Sequence, residues 1–331
     1  MKLQPISPDY DYPNPVGDDP SWNESYYFFW SDYQSELAGF SRIGVRTNYG
    51  YVEGLHGVFL GGTRIGFAHE RRPIADGGPG LHAGGLSFEC LEPMQRWALR
   101  FNGEVDDIAD GKVLEIPRKR RTGDWRARTR LDMELVFDGV GTAVMFLVHD
   151  NQEHLEHHGS INGRVRIGDI DRQISGFCFR DKGIGPRTWK PVATNFPRAP
   201  GSPATFIKWL EAPFGPDLAF SAILNVQADG LHRGEGLAVV HGKNEFMTEL
   251  VATSNYLPNS ALHDRIEMRG LLGSEPFVIT GDVINHIPTK IPTPGGAILV
   301  TEGLVRWSLP DGRQTLGMAE FHVVVSKDVV S

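Results

Sequence analysis

Apolar residues in this chain recur at every second position far more regularly than at every third or fourth. Over 126–137, Leu131, Met133, Leu135 and Phe137 share one parity, while Arg126, Arg128, Arg130, Asp132 and Glu134 take the other. A period of two belongs to a strand with one wet face. Similar runs occupy 51–60, 85–91, 142–149, 218–226, 237–241, 277–285, 297–307 and 314–325.

The joints between these runs have turn chemistry. Gly168-Asp169 lies between 164–167 and 170–174, and Pro310-Asp311-Gly312 lies between 305–307 and 315–316. Asp and Gly tolerate the positive φ that tight hairpins require. The pattern predicts an all-β, mainly antiparallel protein, and sheets of this extent protect their edges by closing into barrels or stacking into sandwiches. Prolines 191, 197, 200 and 203 mark 190–203 as a linker, dividing an N-terminal β-domain (1–195) from a C-terminal one (196–331).

Composition narrows the function classes. The 331 residues are 40% hydrophobic and 22% charged, which is ordinary for a globular chain, and 39 glycines and 22 prolines spread along it fit many turns. A net charge of −8 argues against nucleic-acid binding. The basic run 118–121 and the arginines after it read as a solvated strand face. Cys90 and Cys178 form neither a disulfide framework nor a CxxC pair. The N-terminus lacks an apolar signal region, and the longest apolar stretch, 143–148, is far short of the ~20 residues of a membrane span. A cytoplasmic location and no membrane span are expected.

The segment 176–189 is chemically the most unusual. A strand is expected to end there in a glycine-rich turn that presents Asp181, Arg187 and Trp189, with Phe177 just upstream. An aspartate among aromatic rings has its ionised form disfavoured by desolvation and can serve as a general acid. The same aspartate can instead pair with Arg187 and close the turn. Glu320 and His322 share a parity with Leu316, Met318 and Val324, so they either line a cavity or form the wet side of the last strand. Glu53 shares a parity with Tyr51, Leu55 and Phe59 and is a further candidate cavity carboxylate. The cluster His149, His154, His157 and His158 has ligand-type side chains but no H-E-x-x-H spacing, so no metal is expected; His158 is the better candidate as a cavity residue or proton relay. No Walker A, Rossmann or GxSxG pattern occurs, and no cofactor is expected.

Residues 176–189 resemble the motif G-x-x-x-R-D-H-S-W-G-x-R-D-W of the superfamily containing carotenoid 1,2-hydratase (hydroxyneurosporene synthase) and AttH-like proteins, with kievitone hydratase and tocopherol cyclase as more distant relatives. Residues 156–163 resemble its E-Q-x-G-x-x-x-G, and 21–28 its entry strand. Lys182, Ile184 and Thr188 stand where that motif has His, Trp and Asp; Asp181, Gly185, Arg187 and Trp189 match it. The resemblance implies two tandem antiparallel lipocalin-like β-barrels and cofactor-independent acid catalysis on an unsaturated hydrophobic small molecule: hydration, dehydration, isomerisation or cyclisation. Asp181 would be the acid, Glu320 or His158 its helper, and Trp189, Phe177, Arg187 and Glu53 the substrate-binding set. The competing expectation is a carrier or sensor of an apolar ligand.

Overall fold

The structure, a computed structural model, describes residues 6–149, 152–188, 203–293 and 296–326. Its described residues contain no α-helix, and none of them forms a helix long and apolar enough to cross a membrane. Strands β1 (Trp22–Asp32), β2 (Leu37–Arg46), β3 (Tyr51–Phe59), β4 (Ile65–Pro73), β5 (His82–Ala83), β6 (Leu86–Glu92), β7 (Arg96–Ile108), β8 (Ala127–Gly139), β9 (Val144–His149), β10 (Gln152–Ile167) and β11 (Ile170–Pro186) make the first sheet. Its order is β4-β3-β2-β1-β11-β10-β8-β7-β6-β5, with β9 on β10, and a β4–β7 pairing closes eight of these strands into a ring. Strands β12 (Ala204–Gly215), β13 (Leu218–Val226), β14 (His232–Val240), β15 (Lys243–Tyr256), β16 (His263–Leu272), β17 (Glu275–Thr293), β18 (Gly296–Ser308) and β19 (Gln314–Ser326) form a closed barrel in sequence order.

By compactness the chain divides into two units: Met1–Val58, Gly66–Asp107 and Ala127–Thr188 in one, and Phe59–Ile65, Ile108–Arg126 and Trp189–Ser331 in the other. The expected division at 195/196 lies outside the described residues. Within the second unit, residues 111–115 form a short turn of helix whose Glu115 carboxylate accepts from Ser260 Oγ (2.7 Å) and Ala261 N (2.6 Å). Gly111 is required there, because a Cβ would stand 2.0 Å from the His286 carbonyl oxygen.

Alternation decides what faces each lumen. On β8, Leu131, Met133, Leu135 and Phe137 are buried while Arg128 stays outside, pairing with Asp106 (3.1 Å) and Glu104 (3.3 Å) on β7. In the first unit Phe28 touches Phe88, Trp97 and Phe137 from three other strands, so the interior is filled by aromatic rings. The second interior mixes Ala222, Ala238, Ala252 and Ala319 with Leu210, Met268, Phe220, Phe321 and Trp307.

One expectation fails informatively. The Asp181 segment is not a turn ending a strand, because β11 continues in extended form to Pro186. Gly176 and Gly183 serve close approach between strands, Gly185 takes a positive φ of 124°, and the extended backbone before it sends Asp181 to one face and Arg180, Lys182 and Ile184 to the other.

Candidate functional site

Counting outward from the Gly168-Asp169 turn, β10 and β11 pair without a slip, so Asp181 lies opposite Glu156 and Gly183 opposite His154. On its other side Asp181 faces Tyr27 of β1, which faces Arg42 of β2. Arg42, Tyr27, Asp181 and Glu156 therefore form a row across four strands on the face away from the lumen. The next row holds Phe40, Phe29, Phe179 and His158.

Asp181 Oδ1 lies 2.7 Å from His154 Nδ1, with the carboxylate 3% and the imidazole 13% exposed. The ring leans along the sheet because Gly183, its register partner, has no side chain: a Cβ there would lie 2.9 Å from His154 Cε1. A carboxylate on Nδ1 fixes the tautomer and leaves Nε2 as the proton-handling atom. The aspartate thus takes His154 as its partner, where the sequence had offered Arg187. Arg187 lies beyond the strand end, its N–H donating to the Ser21 carbonyl (3.0 Å).

The other candidate residues divide as follows. His158 is on the same face as Asp181 but one row away, edge-on to Phe179 at 5.3 Å, and burial pushes its imidazole down to about 4. Phe177 lies on that face, two positions beyond Phe179 and half-buried. Burial alone would raise the Glu53 carboxyl, but hydrogen bonds from His69 (2.8 Å) and Arg71 (2.7 Å), with Arg42 at 3.5 Å, hold it down to about 2. Glu53 is consequently an anion that orients Arg42, whose Nη2 reaches Asn23 Oδ1 at 3.2 Å. Trp189 lies outside the described residues, as does the side chain of His149 in the histidine cluster. Among the described residues no group of three or more His, Cys, Asp or Glu is placed to hold a metal ion.

Glu320 belongs to the second unit. It and His322 lie 2.5 Å apart on β19, buried, with Phe206 edge-on to the imidazole at 5.6 Å. The opposite parity, Ala319, Phe321, Val323 and Val325, fills the lumen. Glu320 therefore lines the outer face of this barrel, not its interior.

The lumen side of β11 explains the departure at Lys182. Its Nζ pairs with Glu24 (2.8 Å) and donates to the carbonyls of Tyr10 and Tyr12, the latter at 2.8 Å. Arg180 forks onto Asp11 (2.6 and 3.0 Å), whose carboxylate also accepts from Met94 N (2.6 Å) and Trp97 Nε1 (3.2 Å). These two cations tie the N-terminal segment across the first lumen. Lys182 is thus a structural residue pointing away from Asp181.

The fold is a tandem of lipocalin-like antiparallel barrels, and three solved structures share it. They are CghA (TM-score 0.54, 9% identity, covering 93% of this chain and 89% of that one), a putative AttH from Nitrosomonas europaea (0.52, 12%, 96% and 98%), and kievitone hydratase from Nectria haematococca (0.54, 8%, 92% and 90%). The fold expected from the 176–189 motif is the fold observed. The chain belongs to the family described as a domain of unknown function, DUF7064, whose model matches residues 7–325. No curated protein matches it.

Proposed function

We propose that this protein is a cofactor-independent acid–base enzyme acting on an unsaturated hydrophobic small molecule, as a hydratase/dehydratase or as an isomerase/cyclase. The carrying observation is the 2.7 Å Asp181–His154 pair, set beside Tyr27 and one row from Phe29 and Phe179. The fold shared with kievitone hydratase supports the class. His154 is the proton-transfer group and Asp181 the residue that orients it and stabilises its charged form, a division of roles that replaces direct donation by Asp181.

In the hydration direction the imidazolium gives its Nε2 proton to one carbon of the double bond. Water attacks the other carbon, and the proton released from that water returns to Nε2. With an internal π bond in place of water, the same relay isomerises the substrate or closes a ring. Desolvation among aromatic walls strengthens the interaction of Asp181 with the charged ring.

The test is extraction of the small molecules carried by the purified protein, followed by incubation with parent, His154→Gln and Asp181→Asn proteins. Gain or loss of water, or rearrangement, is expected only with the parent. The His154 variant should lose about 10²–10⁴-fold in rate, the range of general acid–base contributions. Equal conversion by parent and His154→Gln removes the assignment, and return of every ligand unchanged by the parent makes the protein a carrier.

A further inference from the structure

Inside the second barrel a cation stands without an anion among the described residues. Lys208 comes from β12 on the lumen parity, flanked in register by Leu224 of β13 and Phe321 of β19, and is 3% exposed. Its Nζ reaches toward β15 and donates to the Ala252 carbonyl at a long 3.4 Å. No carboxylate among the described residues pairs with it, and burial alone pushes its amine down to about 7. A buried ammonium is costly unless it is paired and hydrogen-bonded.

The groups facing Lys208 are basic or neutral. His263 of β16 stacks on Phe321 with ring centroids 3.7 Å apart; its Nε2 meets Thr205 Oγ1 at 3.1 Å, and its buried Nδ1 has no hydrogen-bond partner. His232 of β14 has its Nε2 3.2 Å from the Thr205 carbonyl, and Tyr256 of β15 has its hydroxyl 2.6 Å from Thr205 Oγ1. His286 of β17 donates to the His263 carbonyl at 2.6 Å. Burial, reinforced by the Lys208 charge, holds His232 down to about 3 and His263 well below its usual value. When Thr205 donates to Nε2 of His263, the hydrogen sits on Nδ1, and that buried nitrogen becomes an unused donor within the electrostatic reach of Lys208.

The first barrel shows what this arrangement lacks. There Arg180 and Lys182 are each answered by a carboxylate of the chain itself, Asp11 and Glu24. In the second the donors are built and none of the described residues supplies an acid to Lys208. Its interior also carries Ala212, Ala222, Ala238, Ala252, Ala297 and Ala319, beside Phe220, Trp307 and Phe321.

We propose that the interior of the second barrel binds a monocarboxylate with an apolar body, its carboxylate received by Lys208 and His263 and its body lying against the alanine-lined wall. This site is separate from the Asp181–His154 face and stands or falls independently of the function proposed there.

The experiment is calorimetric titration of the full-length protein at pH 8 with dodecanoate and, as a neutral probe of the same length, dodecan-1-ol. One dodecanoate per chain is expected, with the alcohol at least tenfold weaker. Binding of the acid should take up a proton, because Lys208 becomes charged on pairing, and this shows as a buffer-dependent enthalpy. Lys208→Met should lower dodecanoate affinity at least tenfold and leave the alcohol unchanged; Lys208→Arg should retain the preference for the acid. A circular-dichroism melt confirms that both variants are folded. His154→Gln should bind dodecanoate as the parent does. Absence of saturable dodecanoate binding, equal affinity for acid and alcohol, indifference to Lys208→Met, or loss of binding in His154→Gln each overturns the proposal.

Discussion

The two barrels handle interior charge in opposite ways. In the first, Arg180 and Lys182 point inward from a single strand and meet Asp11 and Glu24, while Tyr26 donates from its hydroxyl to Glu24 at 3.1 Å. Burial and the neighbouring Glu24 carboxylate raise the Tyr26 phenol far above its usual range, so it acts there only as a donor. In the second, Lys208 has one long bond to a carbonyl. The same fold thus uses buried ions as internal ties in one half and leaves an unanswered cation in the other. Burial of a cation is therefore no indicator of its role; the carboxylate beside it is.

The largest expected effect comes from breaking the first arrangement. Asp11→Ala leaves Arg180 buried without its anion and removes the acceptor used by Trp97 and Met94. The loss should be about 3–5 kcal/mol, as for other buried pairs cut on one side. Urea unfolding checks it. A loss below about 1 kcal/mol would mean that the N-terminal segment is not held by this pair.

The second barrel should respond with the opposite sign. Lys208→Met removes a desolvation penalty and should stabilise the ligand-free protein by about 1–3 kcal/mol at pH 7. Its folded-state value of about 7 lies below the ordinary 10.5. Between those values the unfolded chain holds more protons, so the parent gains stability as pH rises from 7 to 10.5. Below pH 7 the penalty is present in full. The advantage of the Met variant should therefore be greatest at or below pH 7 and fade toward pH 10.5, which parallel unfolding curves at three pH values measure. A variant less stable than the parent at pH 7 would assign Lys208 a structural tie like that of Lys182.

Much of this architecture is legible in the residues. The period of two in β8, the short turn at Gly168-Asp169 and the runs that became β13, β18 and β19 follow from side-chain alternation and turn stereochemistry, both local properties. The pairing of Asp181 with Glu156 was also within reach, because a two-residue turn fixes the register of the whole hairpin. Gly183 and Gly185 look like turn residues and interrupt that count, and His154 is one of several histidines in its stretch. Which parity faces the lumen was not legible. On β19 both parities are apolar enough to be buried, and only closure of the barrel assigns Phe321 inward and Glu320 outward. Lys208 gave no signal at all, since one lysine in 204–215 looks like any solvated strand residue until the barrel closes around it.

The outer faces offer a finer contrast. Each barrel carries a buried acid–imidazole pair there, but Glu320 and His322 are neighbours on one strand, whereas Asp181 and His154 meet across two strands over Gly183. A same-strand pair needs only alternation, while a cross-strand pair leaning along the sheet also needs an empty position for the ring to cross. Gly183→Ala tests this difference with little cost to the fold. The backbone at 183 is extended and accepts alanine, which restricts the unfolded chain, while the added Cβ pushes on the His154 ring 2.9 Å away. The two effects oppose, so stability should change by no more than about 1 kcal/mol. The Asp181–His154 bond should nevertheless open, seen as loss of the downfield Nδ1 proton of His154 in the NMR spectrum with the Glu320–His322 signal unmoved. An unchanged His154 signal would show that the aspartate alone holds the ring and that the glycine has no part in placing it.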